Sequence, residues 1–285
     1  IAERDARRIC WAPLRFVALW TWTQLPACSF TSAAMPATAG VMISHRNMHA
    51  NFEQLMAEYF VLHGGVFPPG TSLVSWLPFY HDMGMIGFVQ FPMQLGVEAV
   101  VVTADQFLRR PLVWAEMISN HRATITSGPN FAYSMLARVL QRAEPADIDL
   151  SSLRVAVNGA EPVNANDLVN LTTVGARFGL RPSALRPAYG LAEATLLVSM
   201  EGPQDPPVID SVSRRAVIGA HRAQPVPEDS DDAQRVVSLG FAVPGMEVRI
   251  VRDGIPQGHR QIGSIELRGP AVARTYLTLD RKSVV

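Results

Sequence analysis

The chain has 285 residues, and its 25 Lys and Arg balance 25 Asp and Glu, so no global basic field exists to hold nucleic acid. An apolar share of 48% against 18% charged residues is that of a globular protein with a real core, not of a disordered chain. No uninterrupted apolar run reaches the roughly 18 residues that a membrane-spanning helix needs, and the two cysteines, Cys10 and Cys28, form neither a CxxC nor a zinc spacing.

Residues 1–29 are rich in Arg and Trp without a clean period, and are read as an atypical N-terminal segment. Arg7 and Arg8 before an apolar stretch ending Leu25-Pro26-Ala27-Cys28 imitate an export signal, but Arg15 interrupts that stretch. With reduced thiols this gives a cytoplasmic protein without an integral membrane segment. From Gly40 the pattern is regular. Residues 41–43 form a short apolar run, and 47–59 read as a helix with Phe52, Leu55, Met56 and Tyr59 on one face. The Gly- and Pro-marked stretch 64–70 is a loop, 73–77 a buried strand, 86–95 a helix closed by Gly96, and 99–102 a strand.

Alternation continues with helices at 111–121, 130–142 and 164–178 and strands at 123–126 and 153–157. Such alternation predicts an α/β fold: layered, largely parallel sheets covered by helices. Ligands of such sheets bind just beyond the carboxyl ends of the strands. A core over 30–200 is followed by a Pro-, Asp- and Arg-rich stretch, 201–235, read as a polar insertion or long loop. Residues 246–251 and 264–268 then alternate around the Asp253-Gly254 turn, which predicts an antiparallel β portion over 236–285.

Four segments carry chemistry. Arg186-Pro187-Ala188-Tyr189-Gly190-Leu191-Ala192-Glu193-Ala194-Thr195 combines a ring that can stack on a base, a glycine that admits close backbone approach, a carboxylate and a hydroxyl. Asn158-Gly159-Ala160-Glu161-Pro162 is a strand-to-helix turn, read either as a surface for a flat ligand or as an ordinary connection. In Leu77-Pro78-Phe79-Tyr80-His81-Asp82-Met83-Gly84, His81 is a pocket wall, a metal ligand without companions, or a cap on the next helix. Finally, Phe30-Thr31-Ser32-Ala33-Ala34-Met35-Pro36-Ala37-Thr38-Ala39-Gly40 begins like a phosphate loop but lacks glycine until Gly40.

Together with Gly40-Val41-Met42-Ile43-Ser44-His45-Arg46-Asn47, these segments resemble the adenylate-forming enzymes over about residues 30–277, in the right order. The subgroup they look most like is the fatty-acyl-AMP ligases that load fatty acids onto polyketide synthases in mycobacteria and their relatives. Ala39, where acyl-CoA synthetases usually carry Lys, and the 201–235 insertion are similar to that subgroup.

The resemblance implies ATP and Mg2+ as cofactors and a fatty acid as substrate, with an acyl carrier protein or polyketide synthase as acceptor. It implies that Tyr189 and Gly190 meet adenine with Gly159, Ala160 and Glu161 beside it. Thr31, Ser32 and Thr195 contact the nucleotide, and Glu193 acts in catalysis by holding Mg2+. His81 borders an acyl pocket with Met83 and Phe131, and counts with Glu193 as catalytic. Three departures stand out: Ala33-Ala34-Met35 in the phosphate loop, Ser264 where the family usually has Glu, and Arg274-Thr275 before Tyr276. The ribose-holding Asp and the mobile C-terminal domain with its Lys would follow Val285, so that domain is expected to be absent. The expectations are therefore a fatty-acyl-adenylating ligase with weak or no turnover, or alternatively a non-catalytic acyl- or nucleotide-binding remnant of a disrupted gene.

Overall fold

The computed structural model describes residues 17–18, 27–31, 39–203 and 207–278. Residues 32–38, Ser32 included, therefore lie outside the described residues. Strands β1 (Val17–Ala18), β2 (Ala27–Thr31) and β3 (Ala39–Ser44) lead into helix α1 (His45–Tyr59). Ser44 starts α1 two residues earlier than the apolar pattern predicts. Its side chain accepts from Asn47 N–H while Asn47 Oδ1 accepts from Ser44 N–H, a reciprocal cap for otherwise orphan amides.

After β4 (Ser72–Ser75) the predicted 86–95 helix is longer and uneven. It runs as α2 (Asp82–Met85), a π turn over Ile86–Gln90, and α3 (Phe91–Leu95), closed by Gly96 at φ 68°. Pro92 has no N–H to continue the regular ladder, and the wider turn lies just before it. Next come β5 (Glu98–Val101), α4 (Ala104–Arg109) and α5 (Leu112–Asn120). The short α4, capped by Thr103 and Gln106, has too few residues to show a period. The alternation then proceeds through β6 (Ile125–Gly128), α6 (Asn130–Leu140), β7 (Val155–Asn158), α7 (Ala165–Ala176) and β8 (Leu185–Gly190).

Strand β9 (Leu197–Met200) turns back against β8. The 201–235 stretch is more ordered than a loop: β10 (Ile209–Ser213) and α8 (Arg214–Gly219) precede β11 (Ala233–Val237), which pairs antiparallel with β10. The chain continues as β12 (Phe241–Ala242), β13 (Glu247–Arg252), β14 (Ile255–Pro256), β15 (Ser264–Arg268) and β16 (Tyr276–Thr278).

The main sheet has the order β12-β9-β8-β7-β6-β4-β5. Its strands from β5 to β8 are mutually parallel, while β9 and β12 are antiparallel additions. The predicted antiparallel portion is β13 paired with β14 and β15. All residues of β4, β6 and β7 are buried, as expected of parallel strands covered on both faces. Trp114, wholly buried on α5, donates its indole N–H to Thr126 Oγ1 at 2.8 Å, and that hydroxyl donates to the Val74 carbonyl at 2.9 Å. Among the described residues no helix is long and apolar enough to cross a membrane.

This bridge ties α5, β6 and β4 together without solvent. Thr126→Val keeps the side-chain shape but strands the indole N–H, and is expected to lower unfolding stability by about 1–3 kcal/mol in urea melts. An unchanged midpoint would show that the bond contributes nothing.

Candidate active site

The singled-out residues collect at one edge of the main sheet, beyond the carboxyl ends of adjacent parallel strands. His81 and Met83 follow β4, Phe131 follows β6, Gly159 to Glu161 follow β7, and Tyr189 and Gly190 end β8. Glu193 lies in the single helical turn Ala192–Ala194 that joins β8 to β9.

The β7 turn is braced from below. Asn130 Oδ1 accepts from Asn164 N–H at 3.0 Å, and Asn130 Nδ2 donates to Asp167 at 2.8 Å, which joins the starts of α6 and α7. Glu161 Oε1 accepts from Phe131 N–H at 2.6 Å, at the α6 N-terminus where a carboxylate is favoured. Ala160 stands at φ 67° and Thr195 at φ 68°. For residues with a Cβ that region costs on the order of 1–2 kcal/mol, so the surroundings must hold these turns in place.

Glu193 is tied by distant chain. Tyr276 donates its hydroxyl to Glu193 Oε1 at 3.0 Å, and the Glu193 carbonyl accepts from Ala273 N–H at 2.7 Å. Thr195 Oγ1 donates to the Ala271 carbonyl at 2.7 Å, and Asn47 Nδ2 donates to the carbonyls of Pro270 and Val272. Burial, with the Glu193 charge adding to it, pushes the Tyr276 hydroxyl up to about 12, so it stays protonated as a donor. Glu193 Oε2 is buried and has no hydrogen-bond partner among the described residues.

Among the described residues no cluster of three or more His, Cys, Asp or Glu side chains could hold a metal by itself. One carboxylate with a free buried oxygen instead suits Mg2+, which usually takes one or two protein carboxylates and completes its shell with phosphate and water.

Geometry reshapes several sequence expectations. A Cβ on Gly190 would lie 2.0 Å from the Leu196 carbonyl oxygen, and one on Gly159 would lie 2.9 Å from that of Ala188. Close approach by the chain's own backbone therefore already accounts for both glycines. Tyr189 is only 5% exposed, so its ring is packed into the core and is no open platform; burial raises its hydroxyl above the usual tyrosine range. Thr195 is wholly buried, and its hydroxyl proton is already given to Ala271. Thr31 ends β2 opposite Gly40, and Ser32 falls outside the described residues.

On the acyl side, Met83 is buried, with its sulfur 2.9 Å from Ser127 Oγ, while Phe131 is exposed and meets Trp76 edge-on at 6.1 Å. His81 occupies the N-cap of α2, so the capping alternative describes its backbone position, and its side chain stays 39% exposed. Its Nδ1 lies 2.7 Å from Asp82 Oδ1 and 3.2 Å from Met83 N. One nitrogen cannot donate to the first and accept from the second at once. The pairing with Asp82 raises the His81 pKa, which favours donation; Met83 N–H has Asp82 Oδ1 as its other acceptor, at 2.6 Å.

The sequence does not show Tyr276 as a neighbour of Glu193. The two are 83 positions apart, and no local pattern links them.

The profile of the AMP-binding enzyme family matches residues 17–277. This chain belongs to that family. It is 42% identical over 259 residues to "Putative ligase Rv1013" of Mycobacterium tuberculosis, covering 90% of this chain and 46% of that protein. To the long-chain-fatty-acid–AMP ligase FadD28 of the same species it is 39% identical over 178 residues, or 62% of this chain and 31% of that one. A fatty acyl-adenylate ligase of Legionella pneumophila, solved with acyl adenylate and pyrophosphate, superposes with a TM-score of 0.78 at 30% identity. That match covers 90% of this chain and 44% of the other, so the chain spans less than half the length of these relatives.

The His81 pairing has a checkable consequence. A raised folded pKa contributes stability that is fully present below the ordinary value near 6.5 and is lost as pH rises through the folded value. Asp82→Asn is expected to bring the His81 pKa back toward the ordinary value in an NMR titration of the ring. An unmoved titration curve would remove Asp82 as the cause.

Proposed function

We propose that this chain forms the base-, magnesium- and acyl-contacting part of a ligase that activates a fatty acid with ATP. One observation carries the reading: the buried, unpartnered Oε2 of Glu193 at the carboxyl edge of the parallel strands, beside the β7 and β8 turns. Family membership and the likeness to a ligase solved with acyl adenylate support it.

In this reading the fatty acid carboxylate attacks the α-phosphorus of ATP. A bond from a carboxylate oxygen to the α-phosphorus forms, the bond from that phosphorus to the oxygen bridging to the β-phosphorus breaks, and pyrophosphate leaves. Glu193 would hold Mg2+ through Oε2, and the cation when bound would supply charge neutralisation. The chain's own residues act by positioning. Tyr276 holds Oε1 and leaves Oε2 for the cation. Thr195 and Asn47 keep the 270–273 strap against the Glu193 turn.

Tyr189 and Gly190, with Gly159, Ala160 and Glu161, border the base, chiefly through backbone and ring edge. Thr31 and Ser32 belong to the phosphate side, and His81, Met83 and Phe131 to the acyl side. An acyl carrier protein or polyketide synthase accepts the acyl group in this scheme, in the cytoplasm where ATP is available. The second reading, binding of acyl-adenylate without turnover, is favoured by the Ala33-Ala34-Met35-Pro36 run, which lacks the glycines that let backbone amides cradle phosphate.

Calorimetry with a non-hydrolysable long-chain acyl-adenylate analogue, beside fatty-acid-dependent ATP–pyrophosphate exchange, tests both. Saturable binding with weak or no exchange is expected from this polypeptide alone. Absence of binding would overturn the site. In MgATP titrations Glu193→Gln should weaken binding by about tenfold or more, and Tyr276→Phe by less, since the second change keeps the carboxylate that would meet the cation. Equal MgATP binding by wild type and Glu193→Gln would remove Glu193 as the metal ligand.

A further inference from the structure

The opposite edge of the main sheet holds a second concave site. Thr71, Thr124, Arg154 and Ala184 each immediately precede a parallel strand: β4, β6, β7 and β8. They help line a cavity of about 250 Å3. A four-residue strand advances about 13 Å, so this cavity and the candidate active site lie at opposite ends of the same strands.

Its polar lining is one-sided in charge. Arg154, Arg181 and Arg186 line it together with His63 and Ser183, and no Asp or Glu is among its lining residues. Arg154 and Arg181 are exposed at the rim. Arg154 has no side-chain partner among the described residues, and Arg181 spends one N–H on the Leu153 carbonyl at 3.1 Å. Arg186 is wholly buried. It donates Nε to the Glu201 carbonyl and Nη2 to the Glu58 carbonyl at 3.5 Å, and its Nη1 is buried without a partner among the described residues. The Glu58 and Glu201 carboxylates act on it electrostatically and offset part of the charge, but its remaining donor is unmet.

The Glu58 and Glu201 carboxylates act on Arg186, and no carboxylate lines the cavity, so the Arg154 and Arg181 guanidiniums at its rim suit an anion. We propose that this cavity binds a phosphate monoester, held by Arg154 and Arg181 at the rim and Arg186 at the base. Two guanidiniums at the rim, with the positive Arg186 beneath them, match a dianion with three terminal oxygens better than they match a single carboxylate. The volume exceeds that of the phosphate group, and the walls contributed by Phe60, Ile125, Val155 and Pro203 suit an organic stem. Leu62 lines the mouth and is exposed, as are neighbouring Val61 and Val66, so the monoester can be a soluble ester or the headgroup of a lipid. The site is independent of the adenylate reading, since it shares none of that site's residues.

Two arms of one experiment separate the sources. Calorimetric titration with glycerol 3-phosphate reads the soluble ester. Flotation with phosphatidylcholine vesicles, with and without phosphatidic acid, reads the headgroup. Saturable binding in at least one arm is expected. It should weaken about tenfold or more in the double variant Arg154→Gln, Arg181→Gln, which loses two charge-assisted contacts. The exposed Arg138→Gln on α6 controls for general charge loss and should bind as wild type. Both changed arginines are exposed, and circular dichroism verifies that the double variant folds. No saturable binding in either arm, or undiminished binding by the folded double variant, overturns the proposal.

Discussion

A parallel strand buried on both faces has no side of its own to offer a ligand. In β4, β6 and β7 every residue is buried, and the backbone is paired to neighbours on either side. Polar chemistry is then confined to the turns at the two ends, where strands give way to helices and amides and carbonyls leave the ladder. The rest of the molecule follows from that confinement. The carboxyl ends carry the Glu193 turn, the Gly159–Glu161 turn and the His81 cap; the amino ends carry the arginines.

At the carboxyl edge the controlling feature is the strap 270–276. It crosses from the antiparallel β portion and is held by Asn47, Thr195 and the Glu193 carbonyl before Tyr276 reaches the carboxylate. Each neutral hydrogen bond contributes only about 1 kcal/mol net, but together they order both sides of the carboxylate. The left-handed Thr195 shows the same division of labour. Its unfavourable φ is tolerated because its side chain is anchored to Ala271, and the turn it completes sets where Glu193 sits.

The two glycines of the candidate site show how a motif glycine can have a cause within the chain itself. Each stands where a ligand-approach argument would put it, yet the atom that a Cβ would strike is a carbonyl of the chain itself. Tyr189 is similar: it ends β8 at the site's edge, but most of its surface packs inward because its strand is sandwiched between β7 and β9. Motif spacing records which residue types stand together. It does not record whether a ligand or packing is the reason.

The sequence by itself determined the α/β alternation, the approximate places of the central strands, the antiparallel final portion and the membership that the family profile bears out. Those are local signals: burial of successive residues in a strand, periodicity along a helix, and turn residues between them. It could not show α4, which is too short for a period, or the β10–β11 pair, whose paired residues are 20 or more positions apart and only partly buried. Nor could it join Tyr276 to Glu193, or bring Arg154, Arg181 and Arg186 to one cavity. Those contacts depend on which strand lies beside which. That order is set by the packing of whole elements against one core, a long-range property that no window along the chain contains.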